Sequence, residues 1–168
     1  PDSGGTLISK RHAPNRWWAS GNSILQLDDG SFIVGGKIRA DKRKATNSAV
    51  WRIDQNGELL WSNPWTGTGR KENNDSHLEE VLALALSPEG DAIIASGYTR
   101  LAGFRKPQKP DMMAWSMDLN GTQKWIKRYE EPGWQVAADI TRIKNNRYLL
   151  SGGRWFFQID SDGTLLQK

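Results

Sequence analysis

Apolar residues come in short runs along this chain, separated by clusters of Gly, Asp, Asn and Ser. Where the runs can be phased, alternate positions are apolar. Ala49, Trp51 and Ile53 form one such set, Met113, Trp115 and Met117 a second, and Trp155, Phe157 and Ile159 a third. A period of two marks β-strands with one buried face, and no helical period runs over a comparable length. The chain also repeats itself. A shift of 116 positions places Gly5-Thr6 on Gly121-Thr122, Trp18 on Trp134, Ile24 on Ile140 and Gly36 on Gly152. An intermediate copy lies between, with Ile93-Ile94-Ala95-Ser96-Gly97 matching Phe32-Ile33-Val34-Gly35-Gly36.

Each copy resolves into four predicted strands. Strand a covers Ile24–Leu27, Leu82–Leu86 and Ile140–Ile143; strand b covers Ser31–Gly36, Asp91–Gly97 and Arg147–Gly153. Strand c covers Ser48–Ile53, Met112–Met117 and Trp155–Ile159; strand d covers Glu58–Ser62, Thr122–Ile126 and Thr164–Lys168. The turn glycines Gly57, Gly121 and Gly163 stand 64 and 42 residues apart, so the unit averages about 50 residues with loops of variable length. A four-stranded unit of that period is a β-propeller blade rather than a helical solenoid repeat. The predicted fold is therefore all-β, with about three blades in one propeller-type domain. Residues 18–66, 78–129 and 134–168 form the blades. Residues 1–17 mirror a strand d, Asp2-Ser3-Gly4-Gly5-Thr6 matching Asp160-Ser161-Asp162-Gly163-Thr164, and are expected to belong to a preceding blade. Three blades do not close a ring. A piece of a longer chain is favoured over two copies that self-associate to complete one.

The stretches DDGSFIVGG and AVWRIDQNGELLW resemble bacterial β-propeller repeats of the kelch-like and PQQ-like kinds. The kelch-like features are the doublets Gly35-Gly36 and Gly152-Gly153 after an apolar strand, with a Trp downstream. The middle copy departs with Ser96-Gly97, and the third has Gln167 where Trp61 and Trp125 stand. The resemblance covers nearly the whole chain and implies architecture. Such families range from adaptors and lectins to oxidases and quinone-dependent dehydrogenases, so it implies no single activity.

Composition narrows the classes. At 168 residues, with 37% hydrophobic and 25% charged residues, the chain is a globular domain and not a disordered one. No run approaches the ~18 apolar residues of a membrane helix, so no membrane span is expected. The absence of cysteine excludes disulfides, iron–sulfur clusters and thiolate zinc sites. A net charge of +4 favours anionic partners. The start at Pro1, together with the bacterial repeat resemblance, favours a removed leader or upstream domain and an exported protein, periplasmic or on the cell surface.

Candidate chemistry is sparse. Asp54-x-Asn56-Gly57, Asp118-x-Asn120-Gly121 and Asp160-x-Asp162-Gly163 could be read as calcium loops. An EF-hand-type loop needs an acid at its twelfth position, which here falls on Trp65, on Tyr129 or past the last residue. These segments read instead as tight c–d hairpin turns tolerating positive φ, and the paired Trp residues as blade-packing aromatics rather than a substrate clamp. His12 and His77 both fall in predicted d–a loops without a nearby acidic triplet. No Gly-x-Ser-x-Gly, His-Glu-x-x-His or phosphate-binding glycine loop is present, and no spacing singles out a nucleophile and its base. Neither catalysis, nor a metal, nor a cofactor is expected from these residues.

The loops sort by face. The a–b and c–d connections are tight and mostly acidic, carrying Asp28, Asp29, Asp54, Glu58, Glu89, Asp91, Asp118, Asp160 and Asp162, with Lys144 and Arg147 as exceptions. The b–c and d–a connections are long and expected on the opposite face, where binding residues usually sit on a rigid scaffold. The first b–c loop carries Lys37, Arg39, Lys42, Arg43 and Lys44; the second carries Arg100, Arg105, Lys106 and Lys109; the third retains only Arg154. The d–a loops add exposed aromatic candidates to the basic side, Trp17, Trp18, Trp65, Tyr129 and Trp134, of which Trp18 and Trp134 recur at equivalent positions and read as structural. Basic residues interleaved with aromatics suit polyanions, sugars or protein hot spots. The predicted partner-binding residues are Arg39, Lys42, Arg43, Arg105, Lys106, Lys109, Trp17 and Trp65. The expected function is a non-catalytic module that binds a protein or anionic polymer through this face. A carbohydrate-binding lectin and part of a propeller enzyme, such as a quinone-dependent dehydrogenase, are the alternatives.

Overall fold

The computed structural model describes residues 18–39, 46–65, 77–101 and 109–168. Within them the chain is all strand and turn. The first sheet comprises β1 (Trp18–Gln26), β2 (Phe32–Arg39), β3 (Asn47–Ile53) and β4 (Leu59–Trp65). The second comprises β5 (His77–Leu86), β6 (Ala92–Leu101), β7 (Asp111–Asp118) and β8 (Gln123–Tyr129). The third comprises β9 (Asp139–Ile143), β10 (Arg147–Gly152), β11 (Trp155–Ile159) and β12 (Leu165–Gln167). Each is an antiparallel meander in which every strand pairs with its sequence neighbour. The sheets stack face to face with their first strands adjacent: β5 lies against β1, β2 and β3, and β9 against β5 and β6. That is the blade arrangement of a β-propeller, here a partial one, with β1, β5 and β9 innermost.

Burial explains the stacking. Between the first two sheets, Ile33 and Val50 meet Val81, Leu84, Ile93, Met113, Trp115 and Met117. Between the second and third, Ile94, Met112, Ala114 and Tyr129 meet Ala137, Ile140, Tyr148, Leu150, Phe157 and Ile159. Strand β7 is therefore buried on both faces, from Met112 to Met117. The period-two reading of strand c found the face that looks toward the preceding sheet. It missed the other, because a sheet packed on both sides has no solvent side to alternate with.

The innermost strands begin earlier than predicted. β1 starts at Trp18 rather than Ile24, and β5 at His77 rather than Leu82, so His77 heads a strand and does not sit in a loop. Bulges between Gly21 and Ser23 and between Val81 and Ala83 interrupt the register and broke the apparent run. The same strands explain the recurring glycine. A Cβ on Gly36 would stand 1.9 Å from the Ser20 carbonyl oxygen, on Gly97 1.8 Å from that of Glu80, and on Gly152 1.6 Å from that of Val136. The equivalent glycines are thus Gly36, Gly97 and Gly152. The second member of the last doublet, Gly153, serves the β10–β11 turn at φ +61°.

Backbone and indole hydrogen bonds fasten the sheets at both edges. At one edge the Glu79 amide donates to the Thr46 carbonyl (3.1 Å), and the Gln135 amide donates to the Pro110 carbonyl (3.0 Å). At the other, the Trp61 indole donates to the Leu119 carbonyl (3.0 Å) and the Trp125 indole to the Ser161 carbonyl (2.8 Å). Each acceptor lies in the c–d turn of the following sheet. Those turns close on themselves: Asp54 Oδ1 accepts the amides of Asn56 and Glu58, Asp118 those of Asn120 and Thr122, and Asp160 those of Asp162 and Thr164. Gly57, Gly121 and Gly163 take φ of +82°, +84° and +75°. The acids are turn formers, as the spacing predicts, and hydrogen bonding from the Glu58 amide first of all holds the Asp54 carboxyl below its ordinary range.

Replacing Gly97 by Ala should cost about 2 kcal/mol or more, since the added methyl meets backbone rather than a movable side chain. Gly90→Ala, at φ +72° with open space around it, should cost only about 1 kcal/mol of backbone strain. Urea unfolding of both variants checks the order; equal losses would contradict it.

Candidate binding face

Tight turns at 27–31, 54–58, 87–91, 118–122, 144–146 and 160–164 gather at one edge of the stack. The opposite edge carries the starts of β1, β3, β5 and β7 and the ends of β2, β4, β6 and β8. Arg39 ends β2 there, half-buried and paired in the strand ladder with Trp18. Lys109 is exposed just before β7. Trp65 ends β4 opposite Ser48. Lys42, Arg43, Arg105, Lys106 and Trp17 lie outside the described residues. The described part of this edge is mixed in charge: Lys37, Arg39, Arg100 and Lys109 share it with Glu79, Glu80 and Asp111.

The innermost part of the edge holds a polar cluster that the loop-based reading missed. Glu80 on β5 is 7% exposed, yet its carboxylate has three donors. Asn22 Nδ2 from β1 lies at 2.8 Å, Lys37 Nζ from β2 at 2.8 Å and the Tyr98 hydroxyl from β6 at 2.9 Å. Asn22 Nδ2 also donates to the Val81 carbonyl (2.7 Å), and Lys37 Nζ sits 5.3 Å over the Trp18 ring. Beside it Glu79, 1% exposed, accepts from Thr99 Oγ1 at 3.2 Å. A carboxylate taken out of water is tolerable only when its lone pairs are met, and Glu80 satisfies that through two sheets at once.

This arrangement limits the chemistry. Burial first, and then the Glu80 hydrogen bond and charge, push the Tyr98 phenol up to about 12, so it remains a protonated donor at neutral pH. Glu80 is occupied by internal donors and Lys37 by Glu80 and Trp18. The cluster is a polar clasp between the first two sheets rather than a poised acid–base pair. Its signal in the sequence was two consecutive glutamates heading the apolar run of HLEEVLALAL. Among the described residues no group of three or more His, Asp or Glu is placed to hold a metal ion. The aromatic candidates divide: Trp134 is 62% exposed and Trp18 41%, whereas Tyr129 is buried against Phe157 and donates to the Gly163 carbonyl at 2.8 Å. The expectation that Tyr129 offers an exposed ring is corrected, because its hydroxyl is spent between sheets.

No family model matches the sequence, and no curated protein matches it. Among solved structures, a gluconolactonase from Xanthomonas campestris aligns with a TM-score of 0.48 and 19% identity, over 95% of this chain and 50% of that one. This chain thus spans half the length of that structure. No helix among the described residues is long and apolar enough to cross a membrane.

All three tyrosines sit above the ordinary phenol value, Tyr129 and Tyr148 chiefly through burial. A raised phenol favours the fold fully below its unfolded value near 10, and that contribution is lost as pH rises through the folded value, which for Tyr98 is about 12. The urea midpoint should therefore be insensitive to these groups up to about pH 10 and fall beyond it. In Glu80→Gln, phenolate absorbance should develop at lower pH than in the parent; an unchanged or later titration would contradict the Glu80–Tyr98 coupling.

Proposed function

We propose that the protein is a propeller-type binding module whose long-loop edge takes a protein or anionic polymer. The observation that carries this reading is the asymmetry of the two edges. The turn edge is closed by short hydrogen-bonded hairpins with exposed acids such as Asp28, Glu89, Asp91 and Asp162. The strand ends joined by the longer connections lie at the opposite edge, and the sequence of the first two b–c connections is dominated by Lys and Arg, including Lys42, Arg43, Arg105 and Lys106. Arg39 and Lys109 flank those connections, and exposed Trp18 and Trp134 add apolar contact area at the same edge. Stacked sheets give such loops a rigid base, which lowers the entropy lost on binding.

A second reading is part of a propeller enzyme; it rests on the blade architecture, since Glu79, Glu80 and Asn22 on the innermost strands are held by partners within the fold. A quinone-dependent dehydrogenase is one such enzyme. A lectin draws its support from the exposed tryptophans alone.

Reversal of Arg43, Arg105 and Lys106 to Glu tests the first reading. The parent should be retained on immobilised heparin and released by salt, and the triple variant should elute at clearly lower salt, because surface charge attraction is screened within about 8–10 Å. Equal elution of the two proteins would remove the basic face as the binding surface.

A further inference from the structure

A cavity of about 420 Å³ opens between the second and third sheets on the turn edge, lined by Glu89, Asp91, Ser116, Trp125, Tyr148 and Ser161 among others. The first interface shows what occupies the corresponding place. There Arg52 on β3 reaches across with its side chain 15% exposed. Its Nη1 donates to the Leu119 carbonyl (2.9 Å), its Nη2 to Asp29 (2.5 Å) and its Nε to Ser31 Oγ (3.0 Å).

The strand registers make the equivalence explicit. Arg52 stands opposite Ile33 on one side and Trp61 on the other; Ser116 stands opposite Ile94 and Trp125. The acceptors are retained in kind. Ser161 O takes the Trp125 indole as Leu119 O takes that of Trp61, and Glu89 and Asp91 occupy the a–b turn that carries Asp29 and Ser31 in the first sheet. Only the guanidinium is missing, because Ser116 is too short to supply it. A second observation points into the same space. The Tyr148 side chain is fully buried, and its hydroxyl has no hydrogen-bond partner among the described residues. Tyr148 lines the cavity together with Glu89 and Asp91, and burial raises its phenol above the ordinary value.

We propose that this cavity is a binding site for a guanidinium group, supplied by another molecule where the first interface supplies Arg52. The planar fork of donors suits the Glu89 and Asp91 carboxylates and the Ser161 carbonyl, the Tyr148 hydroxyl offers a further acceptor, and the Trp125 ring offers a cation–π face. Lys124 at the rim lies 3.5 Å from Asp91 Oδ2, with side chains 44% and 65% exposed, so this pair is screened and weak, while the Ser87 hydroxyl donates to Asp91 Oδ1 (2.8 Å). The site stands at the edge opposite the proposed partner face, and its test does not depend on that reading.

Calorimetric titration of the whole chain with ethylguanidinium, ethylammonium and the peptide Gly-Arg-Gly decides the matter. Saturable binding of ethylguanidinium is expected, with ethylammonium weaker by roughly tenfold because it lacks the fork. A tighter peptide would identify the source as an arginine side chain of a partner protein, and a weaker one as a free small molecule. Ser116→Arg should refill the cavity, abolish binding and raise the midpoint of thermal unfolding. Tyr148→Phe should weaken binding by roughly tenfold. No saturable binding up to about 10 mM, equal affinity for the ammonium, or undiminished binding in Ser116→Arg overturns the assignment. Should Ser116→Arg not fold, the exposed pair Glu89→Gln and Asp91→Asn serves instead, and unchanged affinity there overturns it equally.

Discussion

Sheet is fastened to sheet by an indole. Trp61 and Trp125, each on the fourth strand of its sheet, donate to a carbonyl in the next c–d turn, at 3.0 and 2.8 Å. The contact demands several things together. The turn must be tight enough to present that carbonyl, which the Asp side chain and the positive-φ glycine provide. The glycine must also stay bare, since a Cβ on Gly121 would stand 3.2 Å from the Trp61 ring and one on Gly163 2.7 Å from that of Trp125. Asn63 and Tyr129 then add hydrogen bonds to the same two glycine carbonyls, at 2.6 and 2.8 Å. The motif that repeats most clearly along the chain is therefore both halves of one joint, the turn of one sheet and the latch for the next.

The two interfaces share this joint and differ in how they treat polar groups. At the first, Arg52 fills the turn edge, while Glu80, Lys37, Asn22 and Tyr98 fill the opposite, inner edge. At the second, Ser116 replaces the arginine and leaves carboxylates, a carbonyl and a buried phenol around open space. A buried hydroxyl without a partner costs free energy, and its retention beside a cavity is easier to understand where a ligand completes it.

Much of the fold was legible because it rests on local rules. Asn-Gly and Asp-Gly turns, apolar alternation in strand c and the recurring glycine after strand b each follow from φ preference or from burial of one face. The misses have equally physical causes. β1 and β5 were read short because bulges at Gly21 and Val81 break the alternation that marks a strand. Glu79 and Glu80 were passed over because charge in a sequence reads as solvent exposure until its partners are known, and those partners lie 18 to 58 positions away. Tyr129 looked like a loop aromatic for the same reason.

By itself the sequence determined a repeating four-stranded unit, the identity of its turns and the sorting of long from short connections, since each depends on neighbours within a few positions. Only the tertiary structure decided which residues face which sheet. Trp51 and Trp115 occupy the same place in the repeat, as do Arg52 and Ser116, yet what each does is set by the sheet stacked against it. That pairing across the interface turned one repeated position into a filled joint and its counterpart into a cavity.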